Sequence, residues 1–185
     1  MRIDISDQIY LRPFHESDAD DLAIAANYRE VADYLRDKFP YPYLKRDAIQ
    51  FIEATLTFEP RNVLSIVVHE KVSGAIGITL MDDIYRNNAE LGYWLSPPFQ
   101  KKGIMTLVVK QMIVYVFSRF PVYRIISKPF PNNLGSISVL EKNGFILEAV
   151  QKDVLQKNGK IFDELTYVLI HNERLQKLKS NKLFS

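Results

Sequence analysis

Apolar positions along this chain change their spacing in blocks, and each change marks a predicted element. Residues 9–13, Ile-Tyr-Leu-Arg-Pro, read as a short first strand. Ser17 and Asp20 supply an N-cap and first turn, and a helix then runs on Leu22, Ala25, Ala26, Tyr28 and Arg29 toward Leu35. Pro40 and Pro42 break it into an aromatic loop, Phe39-Pro40-Tyr41-Pro42-Tyr43. A second helix is predicted over residues 46–56, where Ala48, Ile49, Ile52 and Leu56 keep helical spacing. β-branched residues mark a strand over 63–70. Lys71-Val72-Ser73-Gly74 reads as a hairpin turn and residues 75–81 as the return strand. A polar stretch over 82–88 leads into a fourth strand, 89–95. Residues 103–120 are apolar nearly all round, which predicts a buried helix. A fifth strand over 123–128 must end or bulge where Pro129 and Pro131 bracket Phe130. A short helix over 133–142 is stopped by Gly144. A sixth strand over 145–150, a turn at Asn158-Gly159 and a last strand over 163–171 complete the pattern. Together these predict an α+β fold, a mixed sheet with helices on its faces and no internal repeat.

At 185 residues one domain is expected, over 1–175, followed by a polar C-terminal tail over 176–185. The chain carries 24 basic and 22 acidic residues, a net charge of +2, which argues against a nucleic-acid face driven by bulk charge. There is no cysteine, hence no disulfide and no thiolate chemistry from the protein itself. No window approaches the about 20 apolar residues of a membrane span, and Asp4 and Asp7 leave no apolar signal core. A cytoplasmic protein with no membrane and no nucleic-acid partner is the expectation. His15, His69 and His171 are scattered without metal-ligand spacing, so no metal is expected.

The chemistry concentrates between Glu90 and Thr106. A strand ends in Pro97-Pro98; a basic loop, Gln100-Lys101-Lys102-Gly103, follows; then a long apolar run begins. Strand, tight loop and helix N-terminus in that order build an anion pocket, because the first N–H groups of a helix lack internal partners and sit at the positive end of its dipole. Gly103 permits close backbone approach. Lys101 and Lys102 either add positive charge there or form a solvated basic loop. Strand alternation puts Glu90, Gly92 and Trp94 on one face. A carboxylate inside a strand is costly unless paired or useful, so Glu90 is either a base or the partner of Arg86 or another cation.

Four blocks carry a resemblance to a known family. Phe39-Pro40-Tyr41-Pro42-Tyr43 with Asp47-Ala48 and Phe51-Ile52 is one, and Ala89-Glu90-Leu91-Gly92-Tyr93-Trp94-Leu95 is another. Gln100-Lys101-Lys102-Gly103-Ile104-Met105 is similar to a Q-x-x-G-x-(G/A) pyrophosphate loop. Asn133, Ser136, Val139-Leu140-Glu141-Lys142 and Gly144-Phe145 form the last. In this order they resemble the GNAT acyl-CoA N-acyltransferases, and within them the RimJ/RimL-type acetyltransferases. Met105 departs from the Gly or Ala of the loop pattern, Ala149 stands where Gly is usual, and Pro129 is unusual beside a fifth strand.

The resemblance implies a single GNAT-like domain whose mixed, mostly antiparallel central sheet splays between strands 4 and 5. It implies acetyl-CoA as cosubstrate, bound in that splay. Main-chain groups of Tyr93, Trp94 and Leu95 would meet pantetheine as an added strand would; packing in the core is compatible with that. Gln100, Lys101, Lys102, Gly103, Ile104, Met105 and Thr106 would hold the pyrophosphate. Asn133 matches a pantetheine ligand, and equally a helix N-cap. Ser136 matches a residue that protonates the departing thiolate; a first-turn helix serine or a tyrosine acid are the alternatives. Phe39, Tyr41 and Tyr43 would line the acceptor entrance together with Glu90, or else pack on the sheet. Glu90 would take the proton of an amine whose pKa is ~10, and an N–H near Leu95 would polarise the thioester carbonyl. The implied activity is acetyl transfer to a primary amine, a protein N-terminus or a small molecule, by direct attack in a ternary complex. A non-catalytic CoA-binding module is the alternative. The protein is expected as a monomer or homodimer.

Overall fold

One sheet runs through the protein, and the chain's main departure from the expected pattern lies at its start. The computed structural model describes residues 1–181. Its strands are β1 (Ile3–Ser6), β2 (Ile9–Arg12), β3 (Val63–Val68), β4 (Lys71–Leu80), β5 (Asn88–Leu95), β6 (Arg124–Ser127), β7 (Ile146–Lys157) and β8 (Lys160–Ile170). They lie in the order β1-β2-β3-β4-β5-β6-β8-β7, and β5–β6 is the parallel pair. The sequence reading missed β1, so its strands 4 and 5 are β5 and β6. Only Ile3 and Ile5 alternate inward on β1, too short a run to stand out.

The helices are α1 (Ala19–Ala26), α2 (Arg29–Ala32), α3 (Lys45–Thr55), α4 (Ile104–Arg119), α5 (Leu134–Lys142) and α6 (Asn172–Asn181). Period-2 alternation sorts the strands between two cores. Leu64, Ile66, Ile76, Ile78, Ala89, Leu91 and Leu95 pack with Val108, Met112 and Val116 of α4. Val67, Ala75 and Trp94 face the other way, toward Leu22 of α1 and Ala48 and Ile52 of α3. Glu90 and Gly92, in step with Trp94, therefore share the α1/α3 face.

Several elements correct the sequence reading. The first helix does not run to Leu35: it stops at Ala26, where Asn27 leaves helical geometry and its Oδ1 accepts from the Tyr43 N–H at 3.0 Å. That bond pins the aromatic loop against the helix end. The hairpin turn is not Lys71–Gly74 but His69-Glu70, both at positive φ (51° and 63°), as a twisted two-residue turn requires. Gly74 has another reason to be glycine, because a Cβ there would collide with the main-chain oxygen of Trp94. α4 is not buried all round; Leu107 and Val114 are exposed. β7 and β8 extend well beyond the predicted strands as a long hairpin turning at Asn158-Gly159.

The expected tail from residue 176 is helical as far as Asn181; residues 182–185 lie outside the described residues. α6 is anchored by Arg174, whose guanidinium donates to the C=O groups of Phe117, Phe120 and Val122, each at 2.7 Å, at the C-terminal end of α4. Among the described residues no helix is long and apolar enough to cross a membrane.

Candidate active site

β5 pairs with β4 along its whole length, from Ala89↔Leu80 to Leu95↔Gly74. Its pairing with β6 stops at Glu90↔Ile126. β6 ends at Ser127, two residues before Pro129, so the strands part as they run toward the β5 C-terminus. Farther along that edge the bonds come from side chains. Ser127 Oγ–H donates to the Leu91 C=O at 3.1 Å, and Gln100 Nε2–H donates to the Leu95 C=O at 2.7 Å. Main-chain groups alternate between the two sides of a strand. Tyr93 C=O and the N–H groups of Tyr93 and Leu95 therefore point into the fork. The main chain of Trp94 turns the other way, toward its partner Ala75 on β4. Of the three residues expected to offer backbone contacts, Tyr93 and Leu95 face the gap and Trp94 does not.

The fork is closed at one end by the N-terminus of α4. Pro97–Phe99 makes a short 3-10 turn, and Lys101 and Gly103 then take positive φ, 59° and 76°. Gly103 is the N-cap and offers no side chain to the helix, so the first N–H groups of α4, on Ile104, Met105 and Thr106, have no side-chain cap. Left-handed residues in such a loop turn amides toward one side, and the helix dipole adds positive potential there. The side chains of Lys101 and Lys102 are exposed, with Lys102 Nζ 5.8 Å from the centre of the Phe99 ring. The Gln100 side-chain amide ties the loop back to β5. Asn143 Nδ2–H donates to the Thr106 C=O at 3.1 Å and fastens α5 to the same turn.

On the α4/α5 face, Asn133 Oδ1 accepts from the Ser136 N–H at 3.1 Å, so Asn133 is the N-cap of α5. Ser136 Oγ lies 2.9 Å from Tyr93 Oη. Burial pushes the Tyr93 hydroxyl up to about 12, against a smaller opposing effect of the Ser136 hydrogen bond. The group therefore stays protonated through neutral pH and keeps a proton to donate. The serine and the tyrosine left as alternative acids are one hydrogen-bonded pair.

The opposite face holds Glu90, Gly92 and Trp94. A Cβ on Gly92 would meet nothing within 4 Å, so open space lies beside Glu90. Glu90 is ion-paired with Arg36, not with Arg86, whose guanidinium donates to the Asp83 C=O. Phe39 packs edge-on against Trp94, with ring centres 5.8 Å apart, and Tyr43 stacks behind Phe39 at 4.8 Å. Tyr43 is buried, and desolvation pushes its hydroxyl up to about 12. Its N–H bond to Asn27 and its contact with Phe39 tie the loop down. Tyr41 is half exposed near Arg29. A cleft of about 270 Å³ lies between this loop and α3, outside the fork.

Sequence reasoning missed the far wall. The β7–β8 hairpin reaches the segment that follows α2: Lys157 Nζ donates to Asp37 at 2.8 Å, and Asn158 Nδ2–H donates to Asp33 at 2.9 Å. Phe130 packs between Tyr34 and Phe162, with centres 6.4 and 5.6 Å apart. No local pattern signals such contacts, because the partners are more than a hundred residues apart in the polar cases. Among the described residues no group of three or more His, Cys, Asp or Glu is placed to hold a metal ion.

Comparison with known proteins gives a consistent picture. The acetyltransferase (GNAT) domain family matches residues 8–146. The N-acetyltransferase p20 of Bacillus licheniformis, itself uncharacterised, is 29% identical over 171 residues, covering 91% of this chain and 96% of that protein. YdaF of Bacillus subtilis (strain 168), provisionally named a ribosomal N-acetyltransferase, is 33% identical over 100 residues; that match spans 54% of each protein. Among solved structures, RimL, a ribosomal L7/L12 alpha-N-protein acetyltransferase in complex with coenzyme A, superimposes with a TM-score of 0.81 at 23% identity, covering 92% of this chain and 98% of that one. The ribosomal-protein-S5-alanine acetyltransferase of Vibrio fischeri gives 0.80 at 22% identity, covering 94% and 98%. At these identities the two structures speak to the fold.

Proposed function

Because this chain belongs to the GNAT acetyltransferase family, we propose that it is a cytoplasmic enzyme that transfers the acetyl group of acetyl-CoA to a primary amine by direct attack in a ternary complex. The observation that carries this reading is the β5 edge beyond Glu90, unpaired by β6 and closed by the uncapped N-terminus of α4. Pantetheine carries amides able to bond Tyr93 and Leu95 as a neighbouring strand would. The amides of the 100–106 loop and the α4 dipole suit a pyrophosphate. Bound there, acetyl-CoA supplies the thioester.

The chain's own residues divide the remaining work by face. Glu90, on the α1/α3 face, accepts the proton that an ammonium must lose before its nitrogen can attack. The Leu95 N–H, aimed into the fork, is the donor for a carbonyl oxygen that gains charge. Tyr93 and Ser136, on the α4/α5 face, donate a hydrogen bond to a departing thiolate. Phe39 and Trp94 shield the acceptor side from water.

A ligand that binds only the native state raises its melting temperature. At a hundred times its Kd, acetyl-CoA adds about 2.7 kcal/mol of stability, which for a chain of this length corresponds to a rise of roughly 5–10 °C. A thermal melt with and without acetyl-CoA checks this, and no rise would remove the cosubstrate from the proposal. Acetylation itself is read by mass on a panel of peptides and small amines.

Tyr93→Phe is expected to lower kcat by about tenfold with KM for acetyl-CoA near its wild-type value. The size is modest because a thiol of pKa ~8.5 leaves fairly well unaided. Steady-state kinetics of Tyr93→Phe, Ser136→Ala and the double variant decide it. If the pair acts as a unit, the double variant loses little more than either single one.

A further inference from the structure

We infer that the preferred acceptor is an amine with a carboxylate a few bonds away, and that Arg36 selects it. This rests on the proposed acetyl transfer with Glu90 as base and names the substrate class of that site.

Glu90 is not free in this structure. Arg36 donates to its Oε1, and the two side chains differ sharply in exposure, 27% for Glu90 against 75% for Arg36. The guanidinium thus covers Glu90 from the solvent side and leaves most of its donor fork facing outward. An ammonium approaching Glu90 must displace or share this contact. A simple monocation would do so beside an arginine that has lost its partner, two like charges in one mouth. An acceptor bearing its own carboxylate exchanges partners instead: its ammonium goes to Glu90, its carboxylate to Arg36. One ion pair, Arg36–Glu90, exists before the exchange and two exist after it. Guanidinium and carboxylate also match in bidentate geometry.

The remaining charges around the mouth point the same way. Asp37 is ion-paired with Lys157, and Asp33 accepts from Asn158 and lies 3.8 Å from Arg29 Nε. Glu164, on β8, is taken by Lys128 at the end of β6. These three carboxylates already have partners, while Arg36 keeps open donors. The wall next to it, Tyr34, Phe130 and Phe162, is aromatic and adds no competing anion.

The test compares matched acceptors that differ only in the carboxylate. One arm uses peptides beginning Ser-Asp and Ser-Asn; the other uses β-alanine and β-alaninamide, which separates a peptide source from a small-molecule source. Wild-type protein is expected to show a kcat/KM at least tenfold higher for the acid in one arm or both. Arg36→Ala brings the paired values within about twofold, and Arg36→Glu reverses the order. Equal rates in the wild type overturn the inference, as does an acid preference that survives Arg36→Ala. No acetylation of any acidic acceptor by protein that acetyl-CoA stabilises also overturns it while leaving the cosubstrate reading intact. Failure of that wider reading shows separately, as no stabilisation by acetyl-CoA.

Discussion

Glu90→Gln is expected to lower kcat/KM for amine acetylation by about a hundredfold or more, with acetyl-CoA affinity within about twofold of wild type. General-base catalysis of this kind contributes about 10²–10⁴-fold. The amide keeps the shape of the side chain and cannot accept the proton. Its neighbours on the cosubstrate side are untouched, because Glu90 faces α1/α3 while Tyr93, Ser136 and the loop before α4 lie on or beyond the other face. Folding should not confuse the result: Arg36 is largely exposed, and exposed ion pairs contribute at most about 1 kcal/mol. A pH series adds a sharper signature. An amine of pKa ~10 supplies more of its own free base as pH rises, so the deficit of the variant shrinks toward alkaline pH. A variant that keeps wild-type turnover at neutral pH would remove Glu90 from the chemistry. One that loses turnover and acetyl-CoA affinity together would point to a structural role.

What could be read from the chain and what could not separate along physical lines. The segment from β5 through α4 was legible because its signals are local. Alternation assigns the faces of Glu90 and Tyr93, the Pro pair ends the strand, and Gly103 takes the left-handed conformation that starts the helix. Gly74 shows how a local signal misleads. A glycine after a polar triplet resembles a turn, yet it is needed here for close approach to Trp94 in mid-strand. β7 was read at about half its length because nearly all of its residues are exposed, which removes the alternation that betrays a strand. Arg36 was invisible for another reason. It meets Glu90 across 54 positions, on a loop that only the aromatic residues mark as ordered. The sequence showed that a carboxylate sat inside a strand at a cost; only the fold shows which cation answers it, and that the answer lies over the mouth of the site.

The layer that carries this mouth depends on a second ion pair, and Asp18→Ala is expected to destabilise the protein by about 3–5 kcal/mol. Arg12, at the end of β2, donates from both terminal nitrogens to the two oxygens of Asp18, at 2.7 and 2.8 Å. The His15 N–H donates to the same carboxylate at 2.8 Å. Both side chains are largely buried, so removing the acid leaves a guanidinium without its counter-charge at the entry to α1. In a chain of this size that loss corresponds to a fall in melting temperature of roughly 10 °C. Replacing both residues, as Arg12→Met with Asp18→Leu, should cost much less than either change alone, since no orphaned charge remains. Acid gives an independent check. Burial raises the pKa of Asp18, but the Arg12 and His15 hydrogen bonds and the nearby positive charge outweigh it, and the net displacement is downward. A carboxyl held below its unfolded value of about 3.9 stabilises the fold fully above that value and loses the contribution as pH falls through the folded one. The gap between wild type and Asp18→Ala should therefore be constant from pH 8 down to about pH 5 and narrow below about pH 4. Chemical denaturation across that range measures it. A gap that stayed wide in acid would mean that Asp18 acts through packing rather than through its charge.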